Sequence, residues 1–295
     1  MSIPGSKVDE FERYFVSMVA IVCAGALAIL SLSGPLLLNI IKYKTSQSAI
    51  IQGQAQDFVN LVLIAPICFI GGILLIKNNE NAKYFLILTP IYTVFYTGIA
   101  YAIFPEWSHP TYTGNSEQFF WLYWLLISSG VIILIKSYSL FTPEDTPEFN
   151  RRNLKIYISF MLIFLIIFIL LWISEIQEVI TTGDTSTGSY SEAPTIFWVI
   201  RTIDLGITLP LGLISLYLFW TRTKQAYPLL LLFFGYFVSI GTAVFVMALL
   251  MLIKNDPNLQ EGGIVIFFIL MMLSWIGFVY LIRDKIPFFQ TKPNF

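Results

Sequence analysis

The chain has 295 residues, of which 57% are hydrophobic and only 12% charged, with a formal net charge of −1 and a mean hydropathy of +0.76. A soluble domain carries about a quarter charged residues, so the composition points to an all-α, polytopic membrane protein. The near-zero charge and the lack of a basic cluster argue against a nucleic-acid partner.

The N-terminal stretch MSIPGSKVDEFERYF mixes acids with bases, and the apolar run that follows, Tyr14 to Ile41, is too long for a signal-peptide core. It is therefore expected to be a retained first helix. Each crossing of a bilayer needs about 20 apolar residues. Eight runs meet that length, at 15–41, 57–76, 84–104, 118–141, 155–175, 195–220, 228–253 and 263–282. No connection between them is long enough for a soluble domain, so the chain reads as a single transmembrane domain whose partner is the lipid bilayer.

Basic residues set the expected orientation, because cytoplasmic segments carry an excess of Lys and Arg. With the N-terminus inside, the inner segments hold 13 of them and the outer segments only Lys42, Lys44 and Lys254, while Arg201 lies within a helix. Both termini are thus expected to be cytoplasmic, in the plasma membrane. The outer segments 104–117 and 180–195 lack Lys and Arg and are rich in Thr, Ser, Gly and aromatics. They read either as an interfacial belt, with Trp107, Tyr112, Trp121 and Trp124 at headgroup level, or as a lid over an outward cavity. On the inner side, Thr146-Pro147-Glu148 has the order of an N-cap, a first-turn proline and a dipole-favoured acid. It is expected to open helix five and to separate two four-helix halves, 1–146 and 147–295.

A shift of 144 positions lays the second run on the sixth without a gap. Asn60-Leu-Val-Leu-Ile-Ala-Pro66 falls on Asp204-Leu-Gly-Ile-Thr-Leu-Pro210, and Tyr92 falls on Tyr236. This register implies an internal 4+4 repeat about an axis along the membrane normal. Each proline is expected to kink its helix and free the carbonyl four residues earlier, that of Val62 or Gly206. Such a freed carbonyl is tolerated where neighbours or water satisfy it.

The charges inside these runs are the candidate site. Arg201 and Asp204 lie three residues apart, on one helix face, and a charge at membrane depth is costly unless it faces protein or a wet cavity. The 144-residue register sets Asp57 on Arg201 and Asn60 on Asp204, and makes Asp57 a candidate partner for the arginine. About 20 residues at about 1.5 Å each separate Asp57 from Lys77, roughly the hydrocarbon thickness, which places Asp57 near the outer surface. Glu175 lies at a similar level above Lys155, and Tyr96 and Tyr101 climb towards it. Arg201, Asp204, Asp57, Asn60, Glu175 and Tyr96 could therefore wall an outward vestibule that binds or transports a small solute or ion. They could equally be ion pairs that hold a scaffold or sensor together.

No catalytic set is legible. His109 is the single histidine and no zincin, P-loop or nucleophile-elbow motif occurs, so a lipid- or quinone-active enzyme is the weakest reading. No cofactor or metal is expected. Cys23 and Cys68 read as membrane-core thiols, and Gly71-Gly72, Ala24/Ala28 and Ser239/Ala243 as close helix packing. Homo-oligomerisation is left open.

The run Gln56-Asp57-Phe-Val-Asn-Leu-Val-Leu-Ile-Ala-Pro66, followed by Tyr92, Tyr96 and Tyr101, resembles a pattern in uncharacterised prokaryotic multipass membrane proteins. In these a Gln-Asp opens the second helix, tyrosines mark the third, and an Asp-Leu…Pro helix resembles Asp204-Leu205…Pro210. The resemblance implies the same helical membrane fold and no particular activity.

Overall fold

The computed structural model describes residues 10–182, 188–259 and 261–285. Among the described residues there are helices and no strands, and eight helices are long and apolar enough to cross a membrane. They are α1 (Glu10–Ser33), α2 (Gln47–Ile76), α3 (Ala82–Ile103), α4 (Ser116–Ser139), α5 (Arg151–Thr182), α6 (Pro194–Thr221), α7 (Thr223–Ile253) and α8 (Glu261–Ile282). The chain divides into two compact units, Met1–Phe141 and Thr142–Phe295, so that α1–α4 build the first and α5–α8 the second. The expected cytoplasmic ends and part of the 180–195 segment lie outside the described residues.

Three boundaries differ from the sequence reading, the first two because apolarity reports compatibility with lipid rather than helicity. The first run was expected to stay helical to Ile41, but α1 stops at Ser33, before Gly34-Pro35. Proline cannot donate to the preceding turn. The chain instead folds back: the amides of Ile40 and Ile41 both reach the Ser33 carbonyl at 2.8 Å, and Asn39 turns the backbone with a φ of 50°. Conversely, α2 begins ten residues before Asp57, capped by Ser46 Oγ, which accepts from the Ala49 amide at 3.1 Å. Its early glutamines are spent on protein partners, Gln54 on the Pro35 carbonyl and Gln56 on the Tyr96 carbonyl, each at 2.8 Å. Finally, Thr146 does not cap α5. Thr142 and Asp145 form a capping box around the short 3₁₀ turn Pro143–Asp145, and α5 starts after Asn150, whose Oδ1 accepts from the Arg152 amide at 2.9 Å. Thr146-Pro147-Glu148 thus opens no helix; the same residue order four positions earlier, Thr142-Pro143-Glu144, opens the 3₁₀ turn instead.

In unit one, α1 packs along the C-terminal half of α2 and against α4. Gly71 and Gly72 permit this close approach, as the sequence predicted. A Cβ on Gly72 would sit 3.0 Å from the Ser17 carbonyl on α1, and one on Gly71 would sit 2.8 Å from Leu86 on α3. Cys23 and Cys68 are buried and free, with Cys68 Sγ donating to the Ala20 carbonyl at 3.3 Å. A salt bridge of 2.6 Å from Lys136 to Glu12 ties the end of α4 to the start of α1. In unit two, α7 packs against α8 and α6, and α6 against α5.

The loops 34–46 and 104–115 of unit one are laced together. The Lys42 amide donates to Asn115 Oδ1 at 2.7 Å, the Asn115 amide returns to the Lys42 carbonyl at 3.1 Å, and the Glu106 amide donates to the Lys44 carbonyl at 2.8 Å. Gly114 makes room for that seam, since a Cβ there would lie 2.6 Å from the Lys42 carbonyl oxygen and 2.7 Å from the Lys44 nitrogen. Both neighbours are backbone and cannot swing aside. Gly114→Ala is therefore expected to destabilise the chain by about 1–3 kcal/mol. Gly25→Ala, where a new Cβ meets nothing, should leave the melting temperature unchanged or raise it slightly. Thermal melts of the two variants in the same detergent check this.

Candidate functional site

Two polar clusters form, one in each unit. Asp57, Asn60 and Tyr96 belong to the first; Glu175, Arg201 and Asp204 belong to the second.

Asp57 is 0% exposed. The Tyr43 hydroxyl lies 2.8 Å from each of its carboxylate oxygens, and the Tyr101 hydroxyl lies 3.0 Å from Oδ1. Tyr101 comes from α3, whereas Tyr43 comes from the laced loop between α1 and α2. The two rings meet edge to face at 5.3 Å, both pack on Phe104, and Tyr101 stacks on Tyr123 at 6.2 Å. Among the described residues no Lys, Arg or His lies within ion-pair distance of Asp57. Burial, and then the neighbouring carboxylate, push the Tyr43 phenol well above its usual range, so its proton stays on the oxygen. Gly34 closes the back of the site. A Cβ there would overlap Asp57 Oδ2 and lie 2.9 Å from the Tyr43 oxygen.

One turn further along α2, Asn60 is equally buried. Its Oδ1 accepts from Thr97 at 3.3 Å, but its Nδ2 has no partner among the described residues, and neither has the hydroxyl of Tyr92. Tyr92 stacks on Tyr96, rings 6.0 Å apart and nearly parallel. Tyr96 takes part through its carbonyl, which holds Gln56.

The local backbone is distinctive here. Asn60–Ile64 is a π-turn, in which the Ala65 amide reaches back five residues to the Asn60 carbonyl. It lies directly before Pro66. Where the sequence suggested a proline kink with an orphaned carbonyl, the backbone instead widens by one residue, so that five-residue spacing replaces the four-residue spacing that Pro66 interrupts. A second π-turn, Asp204–Thr208, precedes Pro210 in the same way, with the Leu209 amide on the Asp204 carbonyl. A third, Thr93–Ile99 in α3, has no following proline; Gly98 sits in it, tight against Ile127 of α4.

In unit two, Arg201 is only 7% exposed and has its partners at hand. It forms a short ion pair with Glu175 Oε2 and donates to the Phe197 carbonyl at 3.2 Å. Its guanidinium lies 3.6 Å from the centroid of the Phe197 ring and 4.5 Å from that of Trp172, an arrangement favourable for a desolvated cation. Asp204 accepts from the Tyr236 hydroxyl at 3.0 Å. The nearest carboxylate to the arginine within its unit is thus Glu175, on α5, rather than the Asp57 that the register suggested. A small cleft in this unit, lined by Met161, Phe164, Phe233, Phe237, Leu270 and Leu273, is apolar and touches none of the predicted site residues.

Sequence reasoning missed Tyr43 altogether. It stands between two lysines in the loop joining α1 to α2, and nothing in the pattern ties it to an acid fourteen residues on. The platform of Trp172 and Phe197 was hidden for a different reason, since aromatics in membrane helices are too common to stand out. Among the described residues no group of three or more His, Cys, Asp or Glu side chains is placed to hold a metal ion. No protein-family model matches the chain, and neither a curated protein nor a solved structure matches it.

The pair Glu175–Arg201 is lopsided, with side chains 35% and 9% exposed. Removing the glutamate takes away the opposite charge of a buried cation, whereas removing the arginine leaves the less buried of the two groups. Glu175→Leu should therefore cost more than Arg201→Leu, about 2 kcal/mol against less than about 1 kcal/mol. The double variant should recover most of the larger loss. Melting the three variants beside the wild type in one detergent provides the measurement.

Proposed function

We propose that this chain is a multipass protein of the plasma membrane, with both termini cytoplasmic, that binds or moves a small solute or ion. In this reading the Asp57–Asn60 cluster is the working site and the Arg201–Glu175 cluster is a clamp. The observation that carries it is the buried carboxylate of Asp57, which has two tyrosine hydroxyls around it and no cation within ion-pair distance among the described residues. An acid kept for stability is ordinarily paired with a base, because removing an unpaired charge from water costs several kcal/mol. Ionisable groups retained at membrane depth without such a partner mark ion and proton pathways.

The open hydrogen-bond positions support the same reading. Asn60 Nδ2 and the Tyr92 hydroxyl, both buried without partners, each carry a desolvation penalty of about 1–3 kcal/mol. A hydrogen-bonding solute would relieve both. They adjoin a π-turn, a distortion found often at functional sites.

A fourfold-plus-fourfold duplication, with halves near 1–146 and 147–295, belongs to this proposal. The two proline-linked π-turns start at residues 60 and 204, which lie 144 apart, the shift that aligns the sequence halves. Tyr236 holds Asp204 at the same sequence spacing that separates Tyr92 from Asn60. The copies would then have diverged: one keeps an acid beside tyrosines, the other an arginine beside a glutamate. The scaffold or sensor reading draws its support from the Arg201–Glu175 pair of this second cluster, in which opposite charges meet.

The two readings part in a reconstitution experiment. Proteoliposomes would be screened with protons, Na⁺, K⁺ and a set of small zwitterionic and anionic solutes, reading flux and ligand-induced melting shifts. Asp57→Asn and Asn60→Leu are expected to weaken the wild-type response by at least about tenfold, and the Glu175→Leu/Arg201→Leu double variant is expected to retain it. A wild type silent to every probe, with Asp57→Asn melting lower, would leave the scaffold reading in its place.

A further inference from the structure

The geometry around Asp57 points to what it binds, and this step rests on the reading of Asp57 as the working site. We propose that Asp57 is a proton-binding site, and that Tyr43 is its positioning residue, a loop-borne hydroxyl that switches from donor to acceptor as the proton arrives.

Space argues first. Gly34 packs so closely on Asp57 Oδ2 that even a methyl group would overlap it, and that methyl would lie 2.9 Å from the Tyr43 oxygen. A hard metal cation needs several oxygen ligands, about six for the common ones. Here the oxygens drawn up around the carboxylate are two phenols, already in hydrogen-bond contact with it. A proton needs no cavity and no ligand shell.

The hydrogen-bond geometry argues second. Tyr101 reaches only one of the two carboxylate oxygens, Oδ1 at 3.0 Å, with the Gly53 carbonyl a longer second acceptor at 3.4 Å. The Tyr43 oxygen stands 2.8 Å from both Oδ1 and Oδ2, although it has one proton to give. A phenol can donate one hydrogen bond and accept others. With Asp57 ionised, Tyr43 donates to the carboxylate. When a proton from water bonds to Oδ2, the new O–H donates to the Tyr43 oxygen, whose own hydrogen turns away, while Tyr101 continues to hold Oδ1. No heavy atom has to move, and no bond other than O–H forms or breaks.

The surroundings argue third. Among the described residues, the titratable groups facing the site are Tyr43 from the loop, Tyr92 and Tyr101 from α3 and Tyr123 from α4. All are phenols, so the carboxyl gains or loses its proton without a fixed opposite charge resisting the change. Tyr43 is also the one hydroxyl of the pair that belongs to a loop. Its segment is seamed to residues 106 and 115, which gives the site a defined contact with the end of the helical unit.

Infrared difference spectroscopy of the full chain in lipid nanodiscs, titrated between about pH 4 and about pH 9, tests this without any cargo. The wild type should show a carboxylic-acid carbonyl band that appears on acidification and shifts in deuterated water. Asp57→Asn should lose that band. Tyr101→Phe and Tyr43→Phe should each keep it but move it to higher frequency, because each removes a hydrogen bond from the carboxyl, and Tyr101→Phe should move it more, since Tyr101 donates to the carbonyl oxygen Oδ1. Should the asparagine variant not fold, the two phenylalanine variants retain the carboxyl and still report on it. Superimposable wild-type and Asp57→Asn spectra across the range, or a band indifferent to Tyr43→Phe and Tyr101→Phe alike, would overturn the proposal. Solute flux could survive that outcome, in which case the transport reading stands and the proton site falls. Loss of all flux with the band intact is the reverse case.

Discussion

Everything polar in this chain answers to one constraint: a charge taken out of water into a helical membrane protein must be neutralised or surrounded. Two solutions to it are found. Arg201 receives an opposite charge, a backbone carbonyl and two aromatic faces. Asp57 receives only hydroxyl donors. The first solution fixes a charge state, because a guanidinium does not titrate in proteins and its partner keeps it company. The second leaves the charge state adjustable, since phenols can serve a carboxylate and a carboxylic acid equally well. The chemical difference between the clusters follows from this difference in neighbours.

The backbone bears the same constraint in another form. Membrane helices cannot leave amides and carbonyls unpaired in lipid, yet Pro66 and Pro210 each remove a donor in mid-helix. The π-turns at Asn60–Ile64 and Asp204–Thr208 reconcile the two by changing the pairing interval just before the proline. A widened turn also displaces the side chains that open it, and these are Asn60 and Asp204, the polar residues of the helices. Proline, π-turn and buried polar residue are thus one device rather than three features. This accounts for a motif that keeps Asn or Asp six residues ahead of Pro.

The helices themselves were legible because hydrophobic length is a direct reading of membrane thickness; all eight runs became helices. Their ends were less so. Hydropathy could not distinguish Pro35-Leu-Leu-Leu, an apolar loop, from the helix before it, nor recognise in the glutamines of 47–56 a helix whose polar face is turned to protein. Residue types at the site were legible for the same reason that they are rare: Arg201, Asp204 and Asp57 stand out against an apolar background. Their partners were not. Glu175 lies 26 positions from Arg201 and Tyr101 lies 44 from Asp57, and only packing brings such residues together. The 144-residue register offered Asp57 for Arg201; within its unit the arginine meets Glu175.

Tyr43 shows how a buried helix carboxylate can be held from the least conspicuous part of such a chain. A loop residue is free of the helical register, so it can approach a helix-borne carboxylate end-on, where neighbouring helices present only their sides. The cost is positional, because a loop hydroxyl holds its place only if the loop is fixed. The seam to residues 106–115, with the close approach at Gly114, supplies that fixity through backbone hydrogen bonds rather than side-chain packing. A tyrosine fixed in this way can respond to the carboxyl it touches by rotating a hydrogen instead of moving a chain, so a change of charge at Asp57 need not disturb the helices around it.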